Sequence, residues 1–496
     1  MTTTAPETLT EYQLFIDGRF VPSSDGSTYE SEDPYTCASW ARIADGTTAD
    51  VDRAVDAARR ALSGEWGRMP GKERARLMRR LADIVERESG ALADVETRDN
   101  GKPFRDANAQ VAYVADWLRY FAGHADKIEG RAFSDAHPNF FAYTVRQPVG
   151  VVGAILPWNA PLILLAFKLA PALAAGCTFV AKPSEFTPAS ALALAACVEE
   201  AGFPPGVFNV VAGSSRAVGA HLVAHHGVDK VAFTGSTATG IAVAQAALGH
   251  LAAVTLELGG KSPQLVFADA DLDQATNGLI AGVFAASGQF CTAGSRILVH
   301  RDVHDELAQR LRSRAEQIRI GDPRDPEIDL GPISTGPQYA RVAELLNSAA
   351  AEGAGVPKSG GVAPEVGRYF VRPTVLTDVT LSMQVMREEI FGPVVGLIPF
   401  DTEDEAVAMA NDTPYGLAAG IWTRDVRRSH RVADRLQAGT VWVNAYRTNS
   451  PGVPFGGMKA SGLGRENGQE ALDSYLETKS VWIELADESR DPFRIG

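Results

Sequence analysis

From about residue 148 onward, short and near-continuous apolar runs alternate with stretches of helical period. The runs VGVVGAIL (149–156), CTFVAK (177–182), VFNVVA (207–212), KVAFTG (230–235) and AAVTLEL (252–258) predict strands. Segments at about 162–175, 188–201, 215–225 and 239–250 predict the helices between them. Strands that are apolar on both faces and separated by helices belong to a parallel sheet covered on each side. A second αβ series follows: SPQLVF, a helix near 272–286, SRILVH and a long helix near 302–318. Upstream, EYQLFIDGRF alternates apolar and polar around Asp17-Gly18, a hairpin signature. Two amphipathic helices come next. Asp50 is placed to cap the first, which carries Val51, Ala54, Val55 and Leu62. The second covers about 72–88, with Leu77, Leu81, Ile84 and Val85 on one face. Pro/Gly-rich stretches at 321–337 and 353–374 read as surface connections. The tail SYLETKSVWIEL alternates as a strand does and needs something to pair with.

Composition narrows the possibilities. A chain of 496 residues, 45% of them hydrophobic, holds roughly three folding units. Sixty-one acidic residues against 47 basic give a formal charge of −14, which argues against nucleic-acid and anionic-membrane partners. Cys37, Cys177, Cys197 and Cys291 form no CxxC pair, so neither a zinc site nor a disulfide framework is expected. His221, His225 and His226 include an i, i+4 pair, but no third ligand follows at a suitable spacing, so no metal is expected. The start, MTTTAPETLTEYQ, lacks the regions of a secretory signal. The apolar stretch PLILLAFKLAPALAAG is interrupted by Lys168 and Pro171 and is too short for a span. A soluble, cytoplasmic protein is expected.

The candidate chemistry sits at predicted strand ends, where doubly wound sheets bind ligands. Cys291 lies in FAASGQFCTAGSR, flanked by small residues. Thirty-four positions earlier, Glu257 is the one carboxylate in the apolar, Gly-rich VTLELGGKSP. A soft nucleophile with an isolated carboxylate is what acyl-enzyme chemistry needs: one group attacks a carbonyl, and the other activates water. In LPWNAP, the segment around Trp158 and Asn159 is either a rigid turn or the source of an amide donor for an oxyanion. In KPSEFTP, Lys182 and Glu185 suit a ribose diol, or form a solvated turn with a salt bridge. In FTGSTATG, Gly235, Ser236 and Thr237 open a helix whose N–H groups could face a pyrophosphate, although no G-x-G-x-x-G occurs there.

LELGGKSP and FAASGQFCTAGSR resemble the two active-site signatures of the aldehyde dehydrogenase superfamily. PWNAP, KPSE, FTGST, EEIFGPV (Glu388–Val394) and PFGGMKASGLGRENG (Pro454–Gly468) resemble its other motifs, in family order, and the similarity runs from about residue 12 to 485. The resemblance implies an α/β fold of two doubly wound Rossmann-like αβ domains plus a small β oligomerisation flap. The cofactor domain would take 1–125 and 148–258, the catalytic domain 259–460, and the flap 126–147 and 473–496. It also implies NAD as cofactor, a small-molecule aldehyde as substrate and a homodimer or homotetramer. Cys291 would be the nucleophile, Glu257 the general base, and Asn159 an oxyanion donor together with the Cys291 N–H. Trp158, Lys182, Glu185, Gly235, Ser236, Glu389 and Phe391 would meet the cofactor. Ala160, Phe167, Phe290, Thr292, Asn449 and Phe455 would line the substrate pocket.

Two expectations follow from that resemblance. The thiol must ionise near neutral pH, so its pKa should lie below the free value of about 8.5, lowered by Lys168 or by the positive ring of the cofactor. Ala160 stands where many relatives carry an aromatic, and AYRTNSPGV is polar at Thr448, Asn449 and Ser450. That combination predicts a wide, partly polar pocket for a bulky or functionalised aldehyde. Three rivals remain. A CoA-acylating semialdehyde dehydrogenase typically lacks the acid at Glu257. A cofactor-independent thiol hydrolase needs a Cys–His pair. A silent homologue is hard to reconcile with an intact Asn159, Glu257, Cys291 and Glu389.

Overall fold

The computed structural model describes residues 9–487 and residue 493, so the stretch MTTTAPET at the start and most of the chain beyond 487 lie outside it. An eight-stranded sheet has the spatial order Gly462–Leu463, Ala253–Glu257, Lys230–Thr234, Val151–Ile155, Thr178–Lys182, Phe208–Val210, Leu14–Ile16, Arg19–Val21. Its five middle strands are parallel, and antiparallel pairs close both edges. Thr178–Lys182 and Lys230–Thr234 are buried along their whole length, which is why these runs are continuously apolar apart from their ends. The parallel strands of this sheet start at Val151–Ile155, wind outward to one side, then return to build the other. That reversal opens a crevice beyond the carboxyl ends of the strands.

A second sheet of six strands is parallel throughout, in the order Thr374–Leu376, Val394–Phe400, Arg296–His300, Pro263–Val266, Ala418–Trp422, Thr440–Val443. The tail strand Leu476–Glu484 finds its partner within the chain. It pairs antiparallel with Phe140–Pro148, which also pairs with Ala132–His137. This small sheet leaves Phe133, Phe141, Trp482 and Ile483 exposed. Among the described residues, no helix is long and apolar enough to cross a membrane.

Four local expectations need correction. The hairpin at Asp17-Gly18 joins Leu14–Ile16 to Arg19–Val21, but Thr10–Tyr12 leaves it to pair with Ala38–Ala44 in a separate sheet. Thr47, not Asp50, is the N-cap of the helix Thr48–Ser63. Asp50 instead accepts the Thr47 N–H at 3.0 Å, the reciprocal half of a capping box. The helix expected over 272–286 stops at Val283, because the next residues turn left-handed. The stretch 321–337 is not merely a surface connection. Leu330, Ile333, Ser334 and Thr335 are buried, and the segment passes behind the loop that carries Cys291.

Arg296 ties the second sheet together. It is completely buried, and its guanidinium donates to the Lys261, Met409 and Ala410 carbonyls at 2.9, 3.1 and 2.8 Å. Arg296→Met should destabilise the protein by about 3–5 kcal/mol, because three carbonyls, two of them buried, lose their donor. Guanidinium chloride unfolding checks this, and an unshifted midpoint would contradict it.

Candidate active site

Neighbouring strands of the first sheet end in the motifs singled out above. Glu257 ends Ala253–Glu257; Gly235 and Ser236 follow Lys230–Thr234; Trp158 and Asn159 follow Val151–Ile155; Lys182 ends Thr178–Lys182. Parallel pairing brings residues some hundred positions apart in sequence onto one rim.

Cys291 faces that rim from a constrained loop. After Val283 the chain passes through Ala286 (φ 44°), Ser287 (φ 57°) and Gly288 (φ 72°), all in the left-handed region. The Ser287 hydroxyl donates to the Gly331 carbonyl at 2.7 Å. The Gln289 side chain donates to the Ala286 carbonyl at 3.2 Å and accepts the Ser334 N–H at 2.9 Å. The Asn159 amide donates to the Gln289 carbonyl at 2.9 Å, two residues before the thiol. Asn159 is itself held, since the Asn100 amide donates to the Trp158 and Asn159 carbonyls at 2.6 and 3.2 Å.

The electrostatics run against the expected low thiol pKa. Burial, with Glu389 and then Glu257 adding to it, pushes the Cys291 thiol up to about 12. Lys168 does not serve the thiol. Its ammonium is buried, bonded to the Thr234 hydroxyl at 2.6 Å and paired with the Glu466 carboxylate. Glu257 is buried, and neither of its carboxyl oxygens has a hydrogen-bond partner. Desolvation, followed by repulsion from Glu466, holds this carboxyl well above the usual carboxylate range. Gly456 makes room for it, since a Cβ there would stand 2.7 Å from Glu257 Oε1. Glu389 reaches back over the same strand end, where its Oε1 accepts the Gly260 N–H at 3.1 Å. Burial pushes that carboxyl up to about 7. The bare Gly259 is what lets it approach, because a Cβ would sit 2.5 Å from Oε2.

On the cofactor side, Lys182 Nζ lies 3.6 Å from Glu185 Oε2, and burial lowers the lysine's pKa. Trp158 and Phe391 meet edge to face, with ring centroids 5.2 Å apart. Ser236 caps the helix Thr237–Leu248 by accepting the Thr239 N–H. The Gly235 N–H, expected to face a pyrophosphate, instead donates to the Glu257 carbonyl at 3.0 Å, so it is committed to the sheet edge.

Of the residues expected to line a substrate pocket, Phe167 stacks on Trp117 at 5.0 Å, Ala160 is buried at the start of its helix, and Phe455 pairs through its backbone with Glu466. Thr292 is buried and its carbonyl accepts the Tyr446 hydroxyl at 2.8 Å, whereas Asn449 is exposed. Three participants were missed from sequence. Glu466 stands in the quoted GLGRENG, a lone acid among glycines as Glu257 is, and that signal could have found it. Asn100 gave no signal. Arg447 stands in the loop noted only for its polar neighbours, yet its guanidinium lies over the Phe290 ring at 3.7 Å.

Away from this site, folding supplies the third group that the histidine spacing lacked. Asp52, His221 and His225 place ligand atoms within 4.8 Å of one another. The Gly227 N–H donates to His225 Nδ1 at 2.8 Å, so His225 Nε2 carries the proton and donates to Asp52 at 3.3 Å. The cluster ties two helices together through hydrogen bonds.

Comparison with known proteins agrees with this geometry. The family model described as "Aldehyde dehydrogenase family" matches residues 20–481. An aldehyde dehydrogenase of Emericella nidulans is 45% identical over 475 residues, covering 96% of this chain and 95% of that protein. The (Z)-2-((N-methylformamido)methylene)-5-hydroxybutyrolactone dehydrogenase of Acinetobacter baylyi is 44% identical over 487 residues, covering 97% and 99%. The solved NAD+ complex of an aldehyde dehydrogenase from Bacillus cereus superposes with a TM-score of 0.94 at 44% identity, covering 96% of this chain and 97% of that one. The chain belongs to the aldehyde dehydrogenase family.

Proposed function

We propose that this chain oxidises an aldehyde to the carboxylic acid with NAD+, through a thiohemiacetal and then a thioester on Cys291. The observation that carries the reading is that the Cys291 backbone packs against Gly260, three residues past Glu257 and with its N–H donated to Glu389, beside an Asn159 amide anchored to the same loop. The rim also fits a dinucleotide. Lys182 and Glu185 offer a donor and an acceptor for a ribose diol, Glu389 a second acceptor, and Trp158 with Phe391 an apolar flank. When bound, NAD+ supplies the acceptor for the hydride that leaves the aldehyde carbon.

The protein's own groups then have defined tasks. The Cys291 thiol gives up its proton to solvent as its sulfur attacks the carbonyl carbon, and the developing oxyanion takes the Asn159 N–H that Gln289 does not use, together with the Cys291 N–H. One such donor is typically worth about 3–4 kcal/mol in the transition state. With hydride gone, the carbon is a thioester. Glu257 takes a proton from water, hydroxide adds to the thioester, and the acid leaves as the sulfur recovers its proton. Glu257 sets this scheme apart from transfer to CoA. Two carboxylates, not an imidazole, dominate the thiol's surroundings, which disfavours a Cys–His hydrolase. We read the first sheet as the cofactor domain (1–125 with 148–258), the second as the catalytic domain (259–460), and the small sheet (126–147 with 473–496) as the flap through which copies assemble into a homodimer or homotetramer. Its exposed Phe133, Phe141 and Trp482 support that use. Ala160 and the polar loop before Phe455 favour a functionalised aldehyde, in keeping with the lactone named for the Acinetobacter relative.

Cys291→Ala should abolish formation of reduced nicotinamide. Glu257→Gln should keep a single-turnover burst in stopped flow while steady-state kcat falls roughly 100-fold or more; loss of the burst as well would count against a base confined to deacylation. The raised Glu257 carboxyl is protonated at low pH and works only when deprotonated, so wild-type kcat should rise with pH, and Glu257→Gln should lose that rise. For the protein without cofactor, iodoacetamide modification of Cys291 should climb with pH through about 10 without levelling. A plateau near the free-thiol value would refute the raised pKa. Glu185→Ser should narrow the preference for NAD+ over NADP+, read as the ratio of KM values.

A further inference from the structure

We infer that Arg447 forms an anion subsite at the distal end of the substrate pocket, and that the preferred substrate is an aldehyde carrying a carboxylate a few bonds from its carbonyl. This rests on the oxidation proposed above and names its substrate class. The observation is one of placement. Arg447 sits in a loop pinned across the nucleophile segment, where the Tyr446 hydroxyl donates to the Thr292 carbonyl at 2.8 Å. Its own guanidinium carbon lies over Phe290, the residue next to Cys291, at 3.7 Å from the ring centroid. A left-handed backbone at Arg447 (φ 65°) aims the side chain there, a conformation a non-glycine residue rarely holds without compensation.

The guanidinium is charged but underused. Its protein contacts are the Phe290 face and one hydrogen bond, to the Ala281 carbonyl at 2.9 Å. Among the described residues its remaining N–H donors have no hydrogen-bond partner, and the residue is partly open to solvent. Asp106 acts on it electrostatically, yet the nearest cation to Asp106 is Arg105, at 3.7 Å. Burial lowers the arginine's pKa to about 10, which still leaves it cationic at neutral pH. The edge of an arginine's planar fork matches a carboxylate with two parallel hydrogen bonds. Thr448 and Asn449, exposed beside it, add polar groups rather than apolar wall. The formal charge of −14 does not oppose such a substrate at the site, because distant surface charges are screened beyond about 8 Å in physiological salt.

The test compares hexanal with adipic semialdehyde, the same chain ending in a carboxylate, on wild type, Arg447→Ala and Arg447→Lys. Wild type should show a kcat/KM for the semialdehyde roughly 10–100-fold above that for hexanal. Arg447→Ala should collapse that ratio toward unity through the KM of the semialdehyde. Arg447→Lys, which keeps the charge without the fork, should fall between. Wild type that oxidises hexanal as well as the semialdehyde overturns the proposal. So does an Arg447→Ala loss equal on both substrates, since that is the signature of an arginine that merely braces Phe290. Adipate gives a reading independent of turnover: it should protect Cys291 from iodoacetamide in wild type and not in Arg447→Ala. If neither aldehyde is oxidised, the oxidation reading fails, and adipate protection alone decides the subsite.

Discussion

The site depends on a loop kept in a conformation its residues disfavour. Left-handed backbone at Ala286 and Ser287 costs roughly 1–2 kcal/mol each. Four hydrogen bonds restrain the turn: Ser287 to Gly331, Gln289 to Ala286, Ser334 to Gln289, and Asn159 to Gln289. At about 1 kcal/mol apiece they offset the strain. Only one of the four is local to the turn. The others come from residues 331 and 334 and from the end of the central strand of the first sheet. The thiol therefore reaches its position only when the two large sheets are docked, and one hydrogen bond fixes the Asn159 amide to the loop that carries Cys291. Pre-positioning of this kind removes orientation from the chemical barrier.

The same docking concentrates acidic groups. Cys291, Glu257 and Glu389 all have pKa values raised by burial, and each opposes ionisation of the thiol or of its neighbours. Glu466 would make this worse, but the buried Lys168 pairs with it and Thr234 holds that lysine in place. This pairing explains why Lys168 cannot also lower the thiol pKa. It also explains which acid is left unpaired: Glu257, whose two oxygens face no donor. Desolvation disfavours ionisation of the thiol, and Glu257 is the acid left without a hydrogen-bond partner.

Much of this was legible in the sequence because parallel sheets write themselves plainly. Doubly buried strands need unbroken apolar runs, and the motifs fell at their carboxyl ends, where the topology puts ligands. What could not be read was spatial and electrostatic. Gly235 looked like a phosphate-facing amide, but the Glu257 carbonyl of the neighbouring strand claims its N–H. Asp50 looked like a cap because it precedes the apolar positions, yet a capping box puts the acid three residues inside the helix. Asp52 joins the histidines only through helix packing. The sign of the Cys291 shift depended on desolvation and on two acids from distant strands, and no local pattern encodes either.

Arg447 completes the electrostatic picture. Burial raises the pKa values of the thiol and of the acids beside it, and the buried Lys168 is paired with Glu466. A cation placed among those acids would lower the pKa values of Glu257 and the thiol together, and so alter the chemistry itself. Arg447 stands instead over Phe290, its guanidinium 3.7 Å from the ring centroid, with the residue partly open to solvent. A pocket arranged this way can change which aldehyde it accepts by altering the loop around Arg447, while the strained turn, the amide and the unpartnered carboxyl stay as they are.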